Sequence, residues 1–404
     1  MSASFSLAYD RAGSTAPLLP ALVGFFLSFR LFSVVLSVRL FGADPAAGAG
    51  ASLGMTFLLA GAVGFCSIGP ASRTLASFVS IPSFRWVVVF LCFSGCSLSW
   101  SSTASLAAAV AYWCAMTCDV AIVVMLLRIG SVDDTSSALM RGYVWGTCTI
   151  AAIAWVLPAQ SDLRLGDEEF LGPNQIGYAC AFAFFFAQYL MRRNEKGWAV
   201  PAGFLAITLL RSLSKTTIVA FVAGQILLLV LDRNMSRKTR VFLVCAVLLV
   251  VAVFWNLFEA YYYVYTHAGN QSETLTGRIG IWAFILNEAL QQPWIGHGFH
   301  SVWKVIPPFG NFEARHAHNE LLQQFYAYGV VGVCMLVGVY AAVFREIRKL
   351  PACSLKALLF GLLLFIVVRG LADTEVFDLS LPLWSIVLIG SILLQERQFS
   401  EAAV

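Results

Sequence analysis

All five histidines of the chain lie in one polar interval, residues 259–319. They are His267, His297, His300, His316 and His318. Histidine is the side chain whose unperturbed pKa lies nearest neutrality, and it is the most frequent general acid–base catalyst in enzymes. This concentration therefore indicates where the chemistry of the protein would take place. The alternative is that a solvated loop simply accepts histidines, and this alternative is strongest for His267 taken alone.

His318 and Asn319 directly precede an apolar segment that is predicted to form a helix from residue 320. The dipole of that helix disfavours a positive charge at its N-terminus, so we expect the His318 imidazole to be neutral and able to accept a proton. Zinc is an alternative, because His297-x-x-His300 and His316-x-His318 could supply ligands. No carboxylate lies at an offset typical of metalloenzymes, and we therefore predict no metal and no other cofactor.

An arginine stands at the start of a predicted helix over residues 276–292. Thr276 can cap this helix and Pro293 ends it. Arg278 then lies in the first turn, where unpaired N–H groups and the helix dipole favour an anion. A guanidinium at this place is understandable if a phosphate binds there, because its fork pairs with phosphate oxygens. Lipid headgroups at a membrane surface are the alternative partner.

The same predicted helix is amphipathic. Its large apolar residues fall on one broad face, formed by Ile279, Trp282, Ile285, Leu286 and Leu290. A transmembrane helix needs roughly 20 apolar residues, so this helix is too short to cross a bilayer. We expect it to lie on, or dip into, the outer surface of the membrane.

Further cations occur in the apolar part of the chain. Arg211 and Lys215 are four residues apart at the outer turn of a hairpin over residues 198–231, and they share a face if this turn is helical. Two cations without a neighbouring acid suit a diphosphate, although lipid headgroups could satisfy them equally. Arg30 and Asp119 lie inside predicted spans, where each charge costs roughly 2.5–3.5 kcal/mol. Their similar predicted depths allow either a structural ion pair or a functional role.

A membrane fold must position these residues. The chain is 59% hydrophobic and 12% charged, which argues against an ordinary soluble globular protein. About twelve apolar segments are predicted to span the membrane, namely residues 17–41, 52–69, 86–100, 105–128, 142–158, 174–191, 198–213, 214–231, 239–258, 320–344, 356–371 and 380–395. If the N-terminus is inside, Lys and Arg concentrate in the inner segments, as the positive-inside rule requires.

The predicted fold is therefore an all-α integral membrane protein with both termini inside. Transmembrane helices 1–9 occupy residues 1–258, one long outer loop with the short amphipathic helix occupies residues 259–319, and helices 10–12 with an inner tail occupy residues 320–404. The net charge of +4 mostly reflects the inside–outside asymmetry of Lys and Arg. We predict no interaction with nucleic acid.

Several short motifs, taken in order along the chain, resemble the signature of the O-antigen ligase and polymerase superfamily. They are Leu98-Ser99-Trp100-Ser101, Gly172-Pro173-Asn174, Ser214-Lys215-Thr216, Thr276-Gly277-Arg278 with Trp282, Pro293-x-x-Gly296-x-Gly298, and Ala317-His318-Asn319-x-x-Leu322-Gln323 followed by Gly329 and Gly332. The third motif has lysine where the family usually has arginine, and lysine lacks the bidentate fork. The ordered combination is more specific than any single motif.

The resemblance implies a polytopic glycosyltransferase of GT-C-like architecture in the bacterial inner membrane. Such enzymes are metal-independent and inverting, and they use undecaprenyl-diphosphate-linked glycans at the periplasmic face. The matching positions imply that Arg278 binds the lipid diphosphate with Lys215, and that His318 acts at the acceptor hydroxyl as a general base or positioning group. We add Arg211 to the diphosphate site from its proximity to Lys215. Supporting roles are predicted for Asn319, Trp282, His316 and Arg30.

The resemblance leaves two branches open. A polymerase joins lipid-linked repeat units, whereas a ligase transfers the finished polymer to lipid A-core or to protein. The short separation of Arg278 and His318 resembles the exopolysaccharide-polymerase branch, which we favour. Predicted partners are the lipid-linked oligosaccharide, a glycan or lipid A-core acceptor, membrane lipids and, as a further candidate, a chain-length regulator.

A membrane transporter or flippase is the alternative from another functional class. It would also have many spans and charges inside them. Secondary transporters commonly have paired broken helices in two corresponding halves, and the sequence has no such internal symmetry. The histidines lie in the outer loop and not in the spans, so they could not form a transmembrane proton relay.

Overall fold

A computed structural model describes residues 18–68, 74–157, 163–166, 171–193, 195–232, 235–238, 275–303, 305–307, 316–374 and 379–402, with isolated positions between 240 and 263. Within these ranges the chain forms α-helices and no β-strand. The helices are α1 (Leu18–Phe41), α2 (Pro45–Cys66), α3 (Leu75–Val79), α4 (Pro82–Cys96), α5 (Leu106–Ile129), α6 (Val132–Val156), α7 (Pro173–Arg192), α8 (Ala199–Arg211), α9 (Lys215–Leu231), α10 (Leu275–Ala289), α11 (Glu320–Arg348), α12 (Ser354–Gly370) and α13 (Ser380–Ala402).

The helices coincide with the predicted apolar segments. Each predicted span overlaps a helix, with bounds that differ by up to ten residues, except residues 239–258, which lie mostly outside the described ranges. By length and composition, four of the described helical segments can cross a membrane, and α1 becomes a fifth if its two bent parts count as one span. This all-helical, apolar architecture is that of an α-helical membrane protein. The full count of twelve spans stays a prediction.

A sharp break divides α11 into two helical segments. Gly329 has φ 63° and ψ −161°, a backbone conformation that is open to glycine and costly for other residues. The Tyr340 hydroxyl donates a hydrogen bond to Glu320 Oε1 over 2.8 Å, although a straight helix would separate the two residues by about 30 Å. The two segments must therefore fold back on each other.

The break corrects the prediction of one continuous span over residues 320–344. Only the second segment, residues 330–348, remains as a straight membrane-crossing helix, and at 1.5 Å per residue it is about 28 Å long. This length is close to the roughly 30 Å thickness of a bilayer core. The first segment, residues 320–328, is a separate short helix that packs beside it and that begins directly after His318 and Asn319.

Arg30 and Asp119 form the ion pair that the sequence suggested. The guanidinium nitrogens of Arg30 donate to both carboxylate oxygens of Asp119, each over 2.7 Å. Arg30 also donates to Ser380 Oγ over 3.1 Å, and the Ser380 hydroxyl donates to Asp119. These contacts join α1, α5 and α13. The supporting role predicted for Arg30 in the functional site stays a prediction.

Candidate functional site

Helix α10 positions Arg278 in its first turn, as predicted. The helix begins at Leu275, so Thr276 lies inside it and is not its N-cap, which corrects the predicted cap. It ends at Ala289, before Pro293. The predicted apolar face also proves to be two faces. Ile281, Ile285 and Ala289 are fully buried, whereas Ile279 and Leu286 of the helix and Leu290, directly after it, are exposed.

The reason for this division is that the outer loop folds back over one side of α10. Val302, Ile306, Ala317 and Tyr326 pack with the buried residues of the helix in a small second core. Trp282 lies between the two faces, half-buried, and its indole N–H donates to the Ala317 carbonyl over 3.0 Å. The Ala317 N–H in turn donates to Gln323 Oε1 over 2.9 Å. These bonds hold the segment that carries His318 between α10 and α11.

His318 is paired with Asp373, a carboxylate that no sequence motif indicated. Its Nδ1 lies 3.3 Å from Asp373 Oδ1, and the two side chains are 13% and 2% exposed. A carboxylate can only accept, so Nδ1 carries the proton of this hydrogen bond and Nε2 is left as the basic nitrogen. His318 itself has a φ of 50°, an unusual conformation for a residue other than glycine. The pairing is that of a histidine base oriented by an aspartate.

Arg369 keeps Asp373 ionised. Burial alone would raise the pKa of Asp373, but the charges of Arg369 and His318 and the hydrogen bond from His318 hold this pKa well below its ordinary value. The Arg369 guanidinium donates to Asp373 Oδ2 over 3.2 Å and lies 3.5 Å above the Tyr178 ring. The Thr374 N–H donates to Asp373 Oδ1 over 3.0 Å. The carboxylate is therefore fixed from several sides.

The segment Leu371–Asp373 gathers three of the predicted site residues. The Asn319 amide donates to the Leu371 carbonyl over 2.8 Å, Arg278 donates to the Ala372 carbonyl, and Asp373 pairs with His318. None of the sequence motifs contains Asp373. Nothing in the spacing linked it to His318, because the two residues lie 55 positions apart.

His316 lies against His318, with ring centroids 4.0 Å apart. Burial lowers the pKa of His316 to about 3, and the neighbouring positive charges act in the same direction, so this imidazole is neutral at physiological pH. Its Nδ1 is buried and has no hydrogen-bond partner among the residues that the structure describes. Leaving a buried polar atom without a hydrogen bond destabilises a folded protein by about 1–3 kcal/mol. The unsatisfied Nδ1 therefore makes His316 a candidate for a functional role.

The zinc alternative can be compared with this geometry. Donor atoms of His316, His318 and Asp373 all lie within 4.8 Å of one another, so this trio is where a metal ion could be held. Arg369 is already bonded to Asp373, and a further dication would lie beside this fixed guanidinium. The two other predicted zinc ligands are engaged elsewhere. His297 lies 3.1 Å from the Glu288 carbonyl through Nε2, and His300 is stacked between Tyr112 and Trp303.

The histidine interval is therefore not one cluster. His316 and His318 meet at the site, His297 and His300 support the loop, and His267 lies outside the described residues. Periodicity and composition placed all of them in one loop, but the close approach of two of them depends on how the chain folds after Pro293.

The predicted diphosphate ligands are only partly brought together. Arg278 Nη1 donates to Thr216 Oγ1 over 3.3 Å, so Arg278 lies at the start of α9. Thr216 directly follows the exposed Lys215 in the chain. Arg211 instead donates to the Leu163 carbonyl over 2.7 Å. The expected common face of Arg211 and Lys215 is wrong, because α8 ends at Arg211 and Leu213, with φ 56°, turns the chain before α9 begins.

The upstream motifs meet in the same part of the molecule. The Ser214 hydroxyl donates to Asn174 Oδ1 over 2.8 Å, so two of the weaker sequence matches are in direct contact. The Ser101 hydroxyl donates to the Phe299 carbonyl over 2.6 Å, and the Phe299 N–H donates to Ser97 Oγ over 2.9 Å. These contacts attach the outer loop to the end of α4.

Gly298, in the loop that follows Pro293, is required for steric reasons. A Cβ on Gly298 would lie 2.5 Å from the Ser101 Cα, so only glycine allows the loop to approach this closely. The Gly298 N–H donates to the Ala327 carbonyl over 2.7 Å, and the Val330 N–H donates to the Pro293 carbonyl over 2.8 Å. The loop is therefore bonded on both sides of the break in α11, and this fixes the short helix that begins after Asn319.

Comparisons with known proteins agree with the resemblance. Residues 200–337 match the family described as O-antigen ligase, a range that contains Lys215, Arg278 and His318. The chain is 24% identical over 326 residues to the exopolysaccharide production protein ExoQ of Rhizobium meliloti, and the match covers 73% of each chain. It is 32% identical over 102 residues to an O-antigen ligase of Pseudomonas aeruginosa, over 24% of each chain. The chain is therefore similar to members of the superfamily of O-antigen ligases and O-antigen and exopolysaccharide polymerases, and its apolar helices are those of a membrane protein.

Proposed function

We propose that this protein is an inverting, metal-independent glycosyltransferase that polymerises an undecaprenyl-diphosphate-linked glycan at the periplasmic face of the bacterial inner membrane. The observation that carries the proposal is the pairing of His318 with Asp373 beside Arg278. The proposed base, His318, and the proposed phosphate-binding residue, Arg278, thereby both contact one short segment, Leu371–Asp373.

In the proposed reaction, His318 Nε2 takes the proton of an acceptor hydroxyl. The hydroxyl oxygen then forms a bond to the anomeric carbon, on the face opposite the diphosphate. The bond from that carbon to the diphosphate oxygen breaks, and the lipid diphosphate leaves with the electron pair. Asp373 stabilises the imidazolium that His318 becomes, as aspartate does in other oriented histidine bases.

Arg278 and Lys215 would neutralise the charge that develops on the leaving diphosphate. Cations placed in advance at such a position are among the largest contributions to catalysis in a water-poor site. A diphosphate is already a good leaving group, so two such cations are sufficient for the proposed reaction without a metal ion. Arg211, which is bonded to the Leu163 carbonyl, is a weaker candidate for this role.

The assignment to the polymerase branch rests on the extent of the similarity. The relative that matches 73% of the chain is named for exopolysaccharide production, whereas the matched O-antigen ligase covers 24%. Transfer to lipid A-core, the ligase reaction, is the second candidate because the matching family is described as O-antigen ligase. We further propose twelve spans of GT-C-like arrangement, with both termini in the cytoplasm.

The test is a transfer assay with purified protein, a labelled undecaprenyl-diphosphate repeat unit and EDTA. We expect release of the lipid diphosphate, loss of release in His318→Phe, and retained release in His300→Phe, because phenylalanine preserves the stack with Tyr112 and Trp303. No release with any acceptor, or equal release by both variants, would overturn the proposal. The acceptor decides the branch: a second lipid-linked unit indicates a polymerase, and lipid A-core indicates a ligase.

A further inference from the structure

Three side chains with metal-binding atoms meet at one point of the candidate site. They are His316, His318 and Asp373, and one donor atom of each lies within 4.8 Å of the other two. Among the residues that the structure describes, no other group of three histidine, cysteine or carboxylate side chains comes as close together. Two imidazole nitrogens with one carboxylate oxygen form a ligand set that suits zinc and the neighbouring divalent transition metals.

The contact between His318 and Asp373 has the length that two ligands of one ion have. His318 Nδ1 and Asp373 Oδ1 are 3.3 Å apart, which is at the long end for a hydrogen bond to a carboxylate. In a tetrahedral site, zinc lies about 2.0–2.1 Å from a histidine nitrogen or a carboxylate oxygen. Two such ligands are then about 3.3 Å from each other. An ion would therefore fit against both atoms with little movement of either side chain.

His316 offers the third ligand, and the proposed reaction gives it no other task. Its ring lies against that of His318, with the centroids 4.0 Å apart and the planes at 78°. Its buried Nδ1 has no hydrogen-bond partner in the described part of the chain, although buried polar atoms nearly always have one. A metal ion bound at Nδ1 would supply that partner. This atom distinguishes the trio from a simple histidine–aspartate pair.

The charges around the trio favour an ion that binds reversibly. Asp373 Oδ1 accepts from the Thr374 N–H and from His318, and an ion would replace the second of these contacts. Arg369 donates to the other carboxylate oxygen, Oδ2, over 3.2 Å, and its positive charge opposes a dication beside it. Structural zinc sites commonly have four protein ligands, whereas this site has three and a neighbouring cation. The trio is therefore not built for a permanent zinc ion.

We propose that His316, His318 and Asp373 reversibly bind a divalent transition-metal ion such as Zn²⁺, and that this ion inhibits the protein. The inhibition, but not the binding, rests on the proposed function. In the metal-free protein His318 carries its proton on Nδ1, and Nε2 is the base. When zinc binds Nδ1, this nitrogen releases its proton and Nε2 takes one up, so the ring stays neutral. Nε2 then has no lone pair for the acceptor hydroxyl, and transfer stops.

The first experiment measures metal binding without any transfer. Full-length protein without a histidine tag is stripped of metal and titrated with Co²⁺, whose visible absorption reports coordination. We expect one Co²⁺ per chain, displaced by Zn²⁺ and not by Mg²⁺, which prefers oxygen ligands. His316→Gln should weaken binding by about 10–100-fold or more, because removing even an outer partner of a metal ligand has an effect of this size. His300→Phe is the matched control, because it removes a histidine that lies between Tyr112 and Trp303, outside the trio.

A second variant tests coordination directly. His316→Cys exchanges one zinc ligand for another, so it should still bind Co²⁺. It should also gain a thiolate-to-cobalt absorption in the near ultraviolet that the wild-type protein lacks. A purely structural role of His316 would not produce this band, and the absence of the band would overturn the inference even if His316→Gln failed to fold.

The second experiment measures transfer at increasing concentrations of free Zn²⁺. We expect kcat of the wild-type protein to fall, with the KM for the lipid-linked donor unchanged, because the ion acts at the base and not at Arg278. EDTA should reverse the inhibition, and Mg²⁺ should not cause it. Relative to the metal-free rate of each variant, the inhibition constant for zinc should be about 10–100-fold higher in His316→Gln and unchanged in His300→Phe.

The outcomes distinguish this inference from the proposed function. Equal Co²⁺ binding by the wild-type protein and His316→Gln, or transfer that Zn²⁺ accelerates or leaves unchanged, would overturn the inference. A protein that binds Co²⁺ through His316 but transfers no glycan would support the metal site and overturn the proposed reaction.

Discussion

Two acid–base pairs of this protein are equally buried and differ in the geometry of the contact between acid and base. Arg30 and Asp119 are 15% and 1% exposed, and His318 and Asp373 are 13% and 2% exposed. The first pair is bidentate with both contacts at 2.7 Å, whereas the second has one contact at 3.3 Å. The second pair also lies beside His316, whose buried Nδ1 has no hydrogen-bond partner in the described part of the chain.

The difference indicates different roles. Both oxygens of Asp119 are held by the fork of Arg30, and Asp119 also accepts from the Ser380 hydroxyl, so this closed pair joins three helices. His318 uses one ring nitrogen to bind Asp373, and the basic site of a neutral imidazole is its other nitrogen. Burial of a charge in a membrane protein therefore does not by itself identify a catalytic group, and the chemistry of the basic partner is the better guide.

The largest expected effect concerns the candidate site. We expect Arg278→Ala to lower the transfer rate by about 10²–10³-fold, the range found when one preorganised charge-stabilising group is removed. Arg278→Lys should recover part of this loss, because lysine keeps the charge without the fork. The measurement is kcat with a lipid-linked donor, and Arg237→Ala, at an exposed position, is the control. An unchanged rate in Arg278→Ala would contradict the assignment.

Breaking the closed pair should instead affect stability. Asp119→Asn leaves the buried Arg30 charge without its counter-ion, which costs about 3–5 kcal/mol. The double variant Arg30→Met with Asp119→Asn should recover most of this loss. Thermal unfolding of the solubilised protein measures both. If Asp119→Asn unfolds like wild type but loses transfer activity, the pair belongs to the functional site and the comparison above fails.

Asp373 should contribute to both activity and stability. Asp373→Asn should lower kcat by about a hundredfold, within the range that general acid–base catalysis contributes, because an amide can hold the His318 ring in the wrong tautomer. It also removes the counter-ion of the buried Arg369, so the unfolding temperature should fall as well, and Asp373→Glu, which keeps the charge, should restore part of the activity. The depressed pKa of Asp373 fixes the direction of the pH dependence. The stabilising effect of the ionised carboxylate is present above the ordinary carboxyl pKa and is lost only at acidic pH below it. A loss of activity above pH 5 that follows protonation of this carboxyl would contradict the depressed pKa.

The smallest effect concerns His316 and appears in the pH dependence of stability. Its folded-state pKa of about 3 lies below the ordinary value, so the unfolded chain binds the proton more readily between these two values. Stability should therefore fall as the pH drops from about 6.5. His316→Gln removes this proton uptake, and its unfolding temperature should decline less steeply from pH 7 to pH 5. Identical slopes for variant and wild type would show that His316 is not buried in the neutral form.

Much of the fold was predictable because membrane helices leave a strong local signal. Long apolar runs predicted the helices, with bounds that differ by up to ten residues, and the estimated depths of Arg30 and Asp119 allowed the ion pair as one of two alternatives. The site was predictable in part. The motifs indicated Arg278, His318, Asn319 and Trp282, and these residues are connected in the structure through Ala317 and the Leu371–Asp373 segment.

The errors have a common cause. The cap at Thr276, the single apolar face of α10, the shared face of Arg211 and Lys215, and the unbroken span from residue 320 were all inferred from local periodicity. Local periodicity describes what one helix prefers, and it cannot show where a distant segment packs against that helix. The break at Gly329 depends on backbone contacts with residues 293–298, some thirty positions earlier.

By itself, the amino-acid sequence determined the class of protein and singled out Arg278 and His318 as candidates, because composition and short motifs are local properties. Only the tertiary structure decided that Asp373 pairs with His318 and that Arg369 holds Asp373 ionised. Each of these depends on contacts between helices distant in the chain, and such contacts are set by packing and not by spacing.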